Sequence, residues 1–344
     1  MPSSPISSLD PAPRLQDIEY AAGRIAGIAV ATPLLESSLL NQRLGGRLLF
    51  KAEVLQRTGS FKFRGAYNRI CRLDDNARRT GVVAYSSGNH AQAVAAAARL
   101  LELPAVIVMP RDAPAIKIEM TRAQGAEIVF YDRLRDVREV IGARLAAERG
   151  AILVPPYEDR LVIAGQGTIG LELVDQAEAL NAKLDAVLVP CGGGGLLAGC
   201  SLALAHRLPG VDVMSVEPEG YDDTARSLAA GHRIANAAGR SSFCDALLTP
   251  IPGEITFSIN SRLACGGLTV TDDQVADAMA AAFQHLKLIV EPGGAVALAA
   301  ALSGRFDARG KTVAVVCSGG NVDAGTFAAA LRRAEVSRGS GVTN

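Results

Sequence analysis

Short runs of β-branched and other apolar residues alternate with alanine-rich stretches along most of the chain, and this alternation limits the possible folds more than any other feature. The apolar runs predict strands at 47–54, 82–85, 105–109, 127–131, 152–154, 186–189, 211–216 and 312–316. The alanine-rich stretches predict helices at 62–73, 89–101, 115–124, 134–148, 161–180, 196–207, 271–286, 295–302 and 323–333. Strands and helices that alternate in this way form parallel sheets with helices on both faces. We therefore predict an α/β fold of open, mostly parallel, twisted sheets.

The strand–helix run between residues 82 and 154 could form one compact unit by itself. We therefore predict a small α/β domain at 77–155, inserted into a large, discontinuous domain made of 1–76 and 156–344. The Ser- and Pro-rich segment 1–16 and the tail 336–344 are expected either to cap the surface or to be mobile.

Charge and cysteine content exclude several classes of partner. The chain has 35 Lys and Arg against 35 Asp and Glu, so its formal net charge is zero, and we expect neither nucleic acid nor an anionic membrane surface as a partner. No run of about 18 apolar residues is present to span a bilayer. The six cysteines show no C-x-x-C spacing and the four histidines no metal-pair spacing, which argues against zinc sites and disulfide frameworks. Because residues 1–13 also lack the features of a signal peptide, the expected location is the cytoplasm.

Ligands of open α/β sheets bind beyond the carboxyl ends of strands, and four loops there have unusual chemistry. The first carries Lys62. Gly59 and Ser60 are predicted to form a turn and an N-cap, which places Lys62 in the first turn of a helix. The positive end of the helix dipole lowers the pKa of an amine, and a neutral amine is the form that attacks an aldehyde. Taken alone, the pattern is more typical of a solvated surface lysine.

The second loop, Ser86-Ser87-Gly88-Asn89-His90, joins a predicted strand to a predicted helix. Its hydroxyls, its glycine and the free amides of the helix N-terminus form an anion site that fits a carboxylate. An ordinary capped helix start is the alternative.

The third and fourth loops follow two other predicted strands. Four consecutive glycines, Gly192 to Gly195, are costly in chain entropy, and successive amides converge on an oxyanion only where no side chain intrudes. No Lys-Ser/Thr follows as in a nucleotide P-loop, so we predict that this loop binds one phosphate group of a cofactor. Ser318, in the fourth loop, could offer a neutral hydroxyl to a bound ring, although a simple turn explains it as well.

A further glycine pattern, G-x-G-x-x-G at 165–170, lies inside a predicted helix. Dinucleotide binding requires this pattern between a strand and a helix. We therefore interpret these glycines as sites of close helix packing or of clearance for a cofactor.

Together the four loops resemble those of the fold-type II pyridoxal-phosphate enzymes, in the branch of serine/threonine dehydratases (ammonia-lyases) and serine racemases. The resemblance extends from about residue 17 to about residue 323. It implies two open, mostly parallel sheets as in the tryptophan synthase β-subunit, with the cofactor in the interdomain cleft, and a homodimer. Because the chain ends soon after the last predicted helix, no C-terminal regulatory domain like that of biosynthetic threonine dehydratases is expected.

The resemblance also implies the cofactor contacts. Lys62 would hold pyridoxal phosphate as a Schiff base and later act as the base at Cα, and Phe61 would pack near the ring. Asn89 would reach the phenolic oxygen. Gly192, Gly193, Gly194 and Gly195, with Leu196, would cradle the phosphate. Ser318 would bind the pyridine nitrogen, and a neutral hydroxyl there makes the ring a weaker electron sink, which favours prompt loss of a β-hydroxyl group.

The substrate and a cation have implied sites of their own. The loop residues Ser86, Ser87, Gly88, Asn89 and His90 would grip the substrate carboxylate. The carboxylates of Glu217 and Asp223 and the main-chain carbonyl of Tyr221 would form an oxygen site for Mg²⁺ or Ca²⁺. A solvated acidic loop is the alternative.

The activity implied by the resemblance is that of a pyridoxal-phosphate-dependent lyase, which converts a β-hydroxy α-amino acid into a 2-oxo acid and ammonia. L-Threonine and L-serine are the default substrates, and 3-hydroxyaspartate or phenylserine stay open. Serine racemisation is the alternative reaction, with Ser87 as the acid–base group on the cofactor face opposite Lys62. A protein that binds the cofactor without catalysis is a further alternative, against which the presence of Lys62 argues.

Overall fold

The computed structural model describes residues 12–339. The strands β1 to β10 are Leu34–Glu36, Arg47–Ala52, Val82–Tyr85, Ala105–Pro110, Glu127–Tyr131, Ile152–Leu153, Ala186–Pro190, Asp212–Pro218, Gly266–Val270 and Thr312–Cys317. The helices α1 to α14 are Leu15–Ile25, Ser38–Leu44, Lys62–Ile70, Asp75–Thr80, Asn89–Leu100, Ala115–Ala123, Arg138–Arg149, Arg160–Ala179, Gly195–Arg207, Asp223–Ala230, Glu254–Leu263, Asp272–Ala281, Pro292–Leu302 and Ala324–Gly339. Among the described residues, no helix combines the length and the apolar character needed to cross a membrane.

The larger sheet has six strands in the order β1-β2-β10-β7-β8-β9. All neighbouring pairs are parallel except β1 and β2. Successive side chains of a strand point to opposite faces, and in β10 this places Val313 and Val315 in a core with α12 and α13. Ala314 and Val316 face the other side, where α8 and α9 pack. Both faces are therefore covered, which explains the uninterrupted apolar strands.

The smaller sheet has four parallel strands in the order β5-β4-β3-β6. One face packs against α5, whose alanines allow a close approach to the sheet, and the other packs against α7. The chain enters this sheet after α4 and returns to the larger sheet through α8. The predicted α/β fold with two mostly parallel sheets is confirmed, while the domain limits 76/77 and 155/156 stay a prediction.

The glycines at 165–170 lie within α8 and bring three helices together. A Cβ at Gly165 would lie 2.7 Å from the carbonyl oxygen of Arg64 on α3. A Cβ at Gly167 would lie 2.8 Å from the carbonyl oxygen of Gly199 on α9, and one at Gly170 would lie 2.7 Å from Ala203 on the same helix. The prediction that these glycines serve helix packing is therefore confirmed.

Several predicted limits of elements are wrong. The helix expected at 134–148 begins only at Arg138, because the Asp132 side chain accepts the Leu134 amide and closes a turn over 132–136. The segment 1–16, expected to cap the surface or to be mobile, contains the start of α1 at Leu15, while residues 1–11 lie outside the described residues. The helix expected at 323–333 begins at Ala324 and continues to Gly339 in the tail, whose residues 340–344 lie outside the described residues.

Some elements have no counterpart in the prediction. These are β1, β9, α1, α2, α4, α10 and α11. The two strands are short or begin with glycines, and α2, α4, α10 and α11 have at most ten residues, so these elements carry no long periodic apolar pattern. The helix α1 does carry one, with Ile18, Ala21 and Ile25 buried on one face.

Candidate active site

A cavity of about 890 Å³, including the part open to solvent, lies between the two sheets. It is bounded by the loops that follow β3, β7 and β10 and by the start of α3, which is the strand-end position expected for a ligand site. The lining contains all the predicted cofactor and carboxylate residues, namely Phe61, Lys62, Ser86, Ser87, Gly88, Asn89, His90, Gly192, Gly193, Gly194, Gly195, Leu196 and Ser318. The fold thus brings four loops that are distant in sequence to one place.

Lys62 is the first residue of α3 and reaches into this cavity. Its Nζ atom donates a hydrogen bond of 2.9 Å to the carbonyl oxygen of Pro156 and lies 5.1 Å from the centre of the Phe61 ring. Burial, together with the charge of Arg138, lowers the pKa of the Lys62 amine to about 8. A substantial fraction of the amine is therefore neutral near physiological pH and able to act as a nucleophile or a base.

The predicted N-cap at Ser60 is wrong. Ser60 has the extended backbone of an N-cap, but its buried hydroxyl oxygen has no hydrogen-bond partner among the described residues and therefore caps no amide of α3. Ser60 pairs with Gly319 in a short antiparallel bridge, and the Phe61 amide donates to the carbonyl oxygen of Ser318 over 3.1 Å. The start of α3 is therefore fixed by the loop after β10 and not by a side-chain cap.

The four glycines between β7 and α9 have no space for side chains. A Cβ at Gly193 would overlap the Tyr157 ring, and a Cβ at Gly194 would lie 2.9 Å from the Thr256 hydroxyl oxygen. Gly194 also has φ of +90°, a conformation that favours glycine. The amides of Gly192 and Gly193 donate to none of the described residues, and the first amides of α9 have no partner within the helix. Such a cluster of amides fits a phosphate group.

The loop after β3 has the features of a carboxylate site. Gly88 donates its amide to the Ser86 hydroxyl over 3.1 Å, while the Ser87 hydroxyl forms no hydrogen bond with the described residues. Asn89 opens α5. Its side-chain amide donates to Glu291 and its side-chain oxygen accepts from Asn321 over 2.9 Å. Since an amide nitrogen has two hydrogens, Asn89 keeps one donor for a ligand.

His90 is buried and neutral. Its Nε2 atom lies 2.8 Å from the carbonyl oxygen of Val154 and is therefore assigned the proton. Burial first, and the nearby Lys62 charge second, lower the pKa of His90 to about 3. It is thus not a proton donor at neutral pH, and its Nδ1 atom is buried without a partner among the described residues.

Three cavity residues, Arg138, Lys117 and Tyr157, carry no motif from which the sequence predicts a site. Arg138 lies over the Tyr85 ring, with its guanidinium carbon 5.5 Å from the ring centre. Lys117 is buried and pairs with Asp245 at 2.7 Å and with Glu291 at 3.4 Å. Tyr157 lies under the glycine loop. Neither their spacing nor their neighbours in sequence indicated a site, because only the tertiary fold brings them to the cavity.

The predicted cation residues lie outside this cavity. Glu217 accepts the amides of Thr224 and Ala225 at the start of α10, at 2.9 and 2.7 Å. Burial, together with the charge of Asp223, raises the pKa of Glu217, and mainly burial raises the pKa of Asp223 to about 6.

One oxygen of Asp223 is buried without a partner among the described residues. Two neighbouring carboxylates, one of which has an oxygen without a hydrogen-bond partner, fit a hard cation. No group of three or more His, Cys, Asp or Glu suited to a metal occurs among the described residues, so backbone oxygens such as that of Tyr221 would have to complete the site.

Comparison with known proteins gives consistent matches. The profile of the family described as "Pyridoxal-phosphate dependent enzyme" matches residues 25–319. The L-threo-3-hydroxyaspartate ammonia-lyase of Saccharomyces cerevisiae is 43% identical over 92% of this chain and 95% of its own length.

Two solved structures are similar over the same region. The threonine deaminase of T.th. is 45% identical with a TM-score of 0.85, over 90% of this chain and 99% of the other. Maize serine racemase is 38% identical with a TM-score of 0.87, over 96% of this chain and all (100%) of the other.

Proposed function

This chain belongs to the pyridoxal-phosphate-dependent enzyme family and is a lyase, and we propose that the cavity around Lys62 eliminates water from a β-hydroxy α-amino acid. The unsaturated product takes up one water on hydrolysis, so that the net products are a 2-oxo acid and ammonia. The observation that carries this proposal is the position of the Lys62 amine. It lies in one cavity with the glycine loop and the Ser86–His90 loop, and its pKa is lowered to about 8.

The residues fit the cofactor, and their proposed roles are as follows. Gly192 to Gly195 and Leu196 hold the phosphate, Ser318 holds the pyridine nitrogen, and Phe61 and Asn89 hold the ring and its oxygen. When bound, pyridoxal phosphate withdraws electrons from the substrate and so makes the proton at Cα removable. Lys62, once its amine is free, takes this proton at Nζ.

The substrate carboxylate is bound by the loop from Ser86 to His90. The start of α5 favours negative charge. His90 is neutral and therefore has no acidic proton to transfer to the substrate or to Lys62. The carbonyl oxygen of Pro156 holds the Lys62 amine within the cavity while it carries a proton. These groups together fix the orientation of Cα relative to the base, which is the main requirement for proton transfer.

Arg138 makes 3-hydroxyaspartate the favoured substrate among those considered. Apart from Lys62, the cavity has two cationic side chains, and Lys117 is neutralised by its two carboxylates. The Nε atom of Arg138 donates to Glu139 over 2.7 Å, but its Nη atoms form no hydrogen bond with the described residues. A guanidinium edge binds a carboxylate in a bidentate manner. The second carboxylate of 3-hydroxyaspartate can accept hydrogen bonds from the Nη atoms of Arg138, whereas the methyl group of threonine cannot.

The activity is tested by supplying L-threo-3-hydroxyaspartate, L-threonine and L-serine to the cofactor-loaded protein and measuring ammonia and 2-oxo acid. Equal amounts of both products are expected, with the highest kcat/KM for 3-hydroxyaspartate. Lys62→Ala is expected to abolish turnover, while Lys183→Ala, at an exposed lysine, serves as the matched control. Absence of both products with every β-hydroxy amino acid would refute the proposal.

The role of Arg138 is tested separately. Arg138→Gln is expected to lower kcat/KM for 3-hydroxyaspartate by about a hundredfold, as loss of a charge-assisted pair does. It is expected to lower serine turnover far less, only through the rise in the pKa of Lys62. A uniform loss with all substrates would instead place Arg138 at the α-carboxylate.

Racemisation is the second candidate, and the Ser87 hydroxyl favours it because it has no hydrogen-bond partner among the described residues and lines the cavity. Chiral analysis of serine recovered after long incubation tests this reaction. Appearance of D-serine, lost in Ser87→Ala, is the result expected of a racemase.

We further propose a homodimer. Large apolar side chains are exposed on the part of the chain that carries the larger sheet, namely Val30, Leu39, Leu55, Phe283 and Ile289, and exposed apolar residues of this size favour burial in an interface. Light scattering after gel filtration measures the mass directly. A cytoplasmic location is supported by the six cysteines, all within the described residues and all free thiols.

A further inference from the structure

The glycine loop between β7 and α9 rests on α11, a helix that does not line the cavity. Thr256 and Asn260 of α11 are fully or almost fully buried, at 0% and 1% exposure. The Thr256 hydroxyl donates to the carbonyl oxygen of Gly193 over 2.6 Å, and the Asn260 amide donates to that of Gly194 over 3.3 Å. The amide of Gly253, which precedes α11, also donates to the Gly193 oxygen over 3.4 Å. The Gly194 oxygen also accepts the Ala198 amide over 2.9 Å, the first hydrogen bond of α9. The Gly193 oxygen, in contrast, is held by Thr256 and by the amide at the start of α11.

This contact determines the direction of the amides in the same peptide groups. In a planar trans peptide the C=O and the next N–H point in opposite directions. When Thr256 holds the Gly193 oxygen, the Gly194 amide points away from α11. The next peptide group is oriented by α9 itself through the Ala198 amide, and the Asn260 contact adds to that bond. The glycines line the cavity but Thr256 and Asn260 do not, so the side away from α11 is the cavity side.

Glycine residues do not hold such an arrangement by themselves. Each can adopt many backbone conformations, and a flipped peptide would present a carbonyl oxygen to the cavity and repel an anion. Donors that are fixed before the ligand arrives bind it without a further ordering cost. The loop consists of glycines because side chains would not fit there, and glycines alone do not fix the orientation of its peptide groups. A contact from outside the loop therefore has to fix that orientation.

The support is itself anchored to the segment that carries the Lys62 contact. The carboxylate of Glu158 accepts the amides of Glu254, Ile255 and Thr256 at 2.9, 3.1 and 3.2 Å. Two residues earlier, the carbonyl oxygen of Pro156 accepts from Lys62. The start of α11 and the Lys62 amine are thus held by one short stretch of chain.

We propose that Thr256 is a positioning residue that orients the amide of Gly194 for the phosphate group of the cofactor, with Asn260 supporting the neighbouring peptide group that α9 already holds. The inference rests on the proposed assignment of Gly192 to Gly195 as the phosphate-binding loop. It predicts that loss of the Thr256 hydroxyl weakens binding only of ligands that carry the phosphate.

The test compares pyridoxal phosphate with pyridoxal, which lacks the phosphate, in equilibrium titrations of the full-length apoprotein. Thr256→Val is expected to weaken binding of pyridoxal phosphate about tenfold, the effect of one buried hydrogen bond, and to leave pyridoxal affinity unchanged. Thr256→Ser keeps the hydroxyl and is expected to restore the wild-type value. Ser258→Ala is the matched control, because this hydroxyl lies on the exposed side of the same helix and donates to the Ile255 oxygen.

Three results separate the possibilities. Equal weakening of both ligands by Thr256→Val, or no weakening of either, would overturn the positioning role. Gly194→Ala tests the loop itself, because its Cβ would disturb the glycine backbone. If Gly194→Ala lowers the preference for the phosphorylated ligand and Thr256→Val does not, only the role of α11 is wrong. If neither variant alters that preference, the assignment of the phosphate loop is wrong as well.

Discussion

The chemistry at the residue scale centres on the Lys62 amine. Its pKa is lowered to about 8 first by burial and then by the charge of Arg138. The reduced pKa matters because only the neutral amine attacks an aldehyde or accepts a proton. Arg138 thus has two proposed effects: it binds the second carboxylate of the substrate, and it lowers the pKa of the base, Lys62.

This pKa predicts how cofactor incorporation depends on pH. The rate at which the apoprotein takes up pyridoxal phosphate is expected to rise about tenfold per pH unit below the pKa and to level off above about pH 8, because the neutral fraction of Lys62 follows that curve. Stopped-flow absorbance measures the rate. Arg138→Gln is expected to move the midpoint to higher pH, since it removes a charge that lowers the pKa. A midpoint that stays in place would contradict the part assigned to Arg138.

A second residue-scale prediction concerns the cation. Mg²⁺ or Ca²⁺ is expected to raise the melting temperature by several degrees. A cation between Glu217 and Asp223 reduces the repulsion of their charges, and a ligand that binds only the folded chain stabilises it. EDTA reverses the shift. Asp223→Asn is expected to abolish it, whereas Asp222→Asn, at a neighbouring carboxylate that pairs with Arg226, keeps it. A shift that persists in Asp223→Asn would exclude this site.

Sequence alone predicts which residues of local motifs the fold brings to one cavity. Lys62, the Ser86–His90 loop, the glycine loop and Ser318 each follow a strand, and parallel strands bring their ends together. Arg138 and Lys117 could not be predicted, because they lie on helices with no local sign of function. Thr256 and Asn260 left a faint signal, a polar pair four residues apart on one helix face, but α11 itself had not been predicted.

At the scale of elements, close packing of α3, α8 and α9 holds the Lys62 helix in place. Gly165→Ala is expected to lower the free energy of unfolding by about 1–3 kcal/mol, the usual cost of overpacking, because its Cβ would lie 2.7 Å from the Arg64 oxygen. Gly23→Ala is the control, since this exposed helical glycine has no atom within 4 Å of the new Cβ. Its helix propensity predicts a slight gain in stability. Denaturant unfolding compares the two, and an equal effect would contradict the packing role.

Elements were predictable where the apolar pattern is long. The central strands β3, β4, β7 and β10 are buried on both faces and form continuous apolar runs. The edge strand β1 has only three residues, and β9 begins with two glycines, so neither forms such a run. The start of α7 was misjudged because Leu134 and Val137 are apolar, yet both are exposed beside a turn fixed by Asp132.

For the molecule as a whole, Lys117 joins the two sheets. It lies on α6 beside the smaller sheet, and its partners Asp245 and Glu291 belong to the part with the larger sheet. Burial alone would lower the pKa of Lys117, but Glu291 and Asp245 outweigh it and raise the pKa. The amine therefore stays charged, and the carboxylate loop packs against it, since a Cβ at Gly88 would lie 3.2 Å from Lys117 Nζ.

Loss of this link is expected to loosen the contact between the two sheets. Lys117→Met removes the charge and leaves Glu291 buried without its cation. Hydrogen exchange followed by mass spectrometry is expected to become faster in α6 and in residues 86–90, and KM for the substrate is expected to rise. Lys183→Met, at an exposed lysine, is the control. Unchanged exchange in both segments would show that Lys117 does not couple the sheets.

All of these roles depend on Lys62 being the lysine that binds the cofactor. Borohydride reduction of the cofactor-loaded protein, followed by peptide mass spectrometry, locates that lysine directly. The account predicts one modified residue, Lys62, and no modification in Lys62→Ala. A label on Lys117, which lines the same cavity, or on no lysine at all would contradict it.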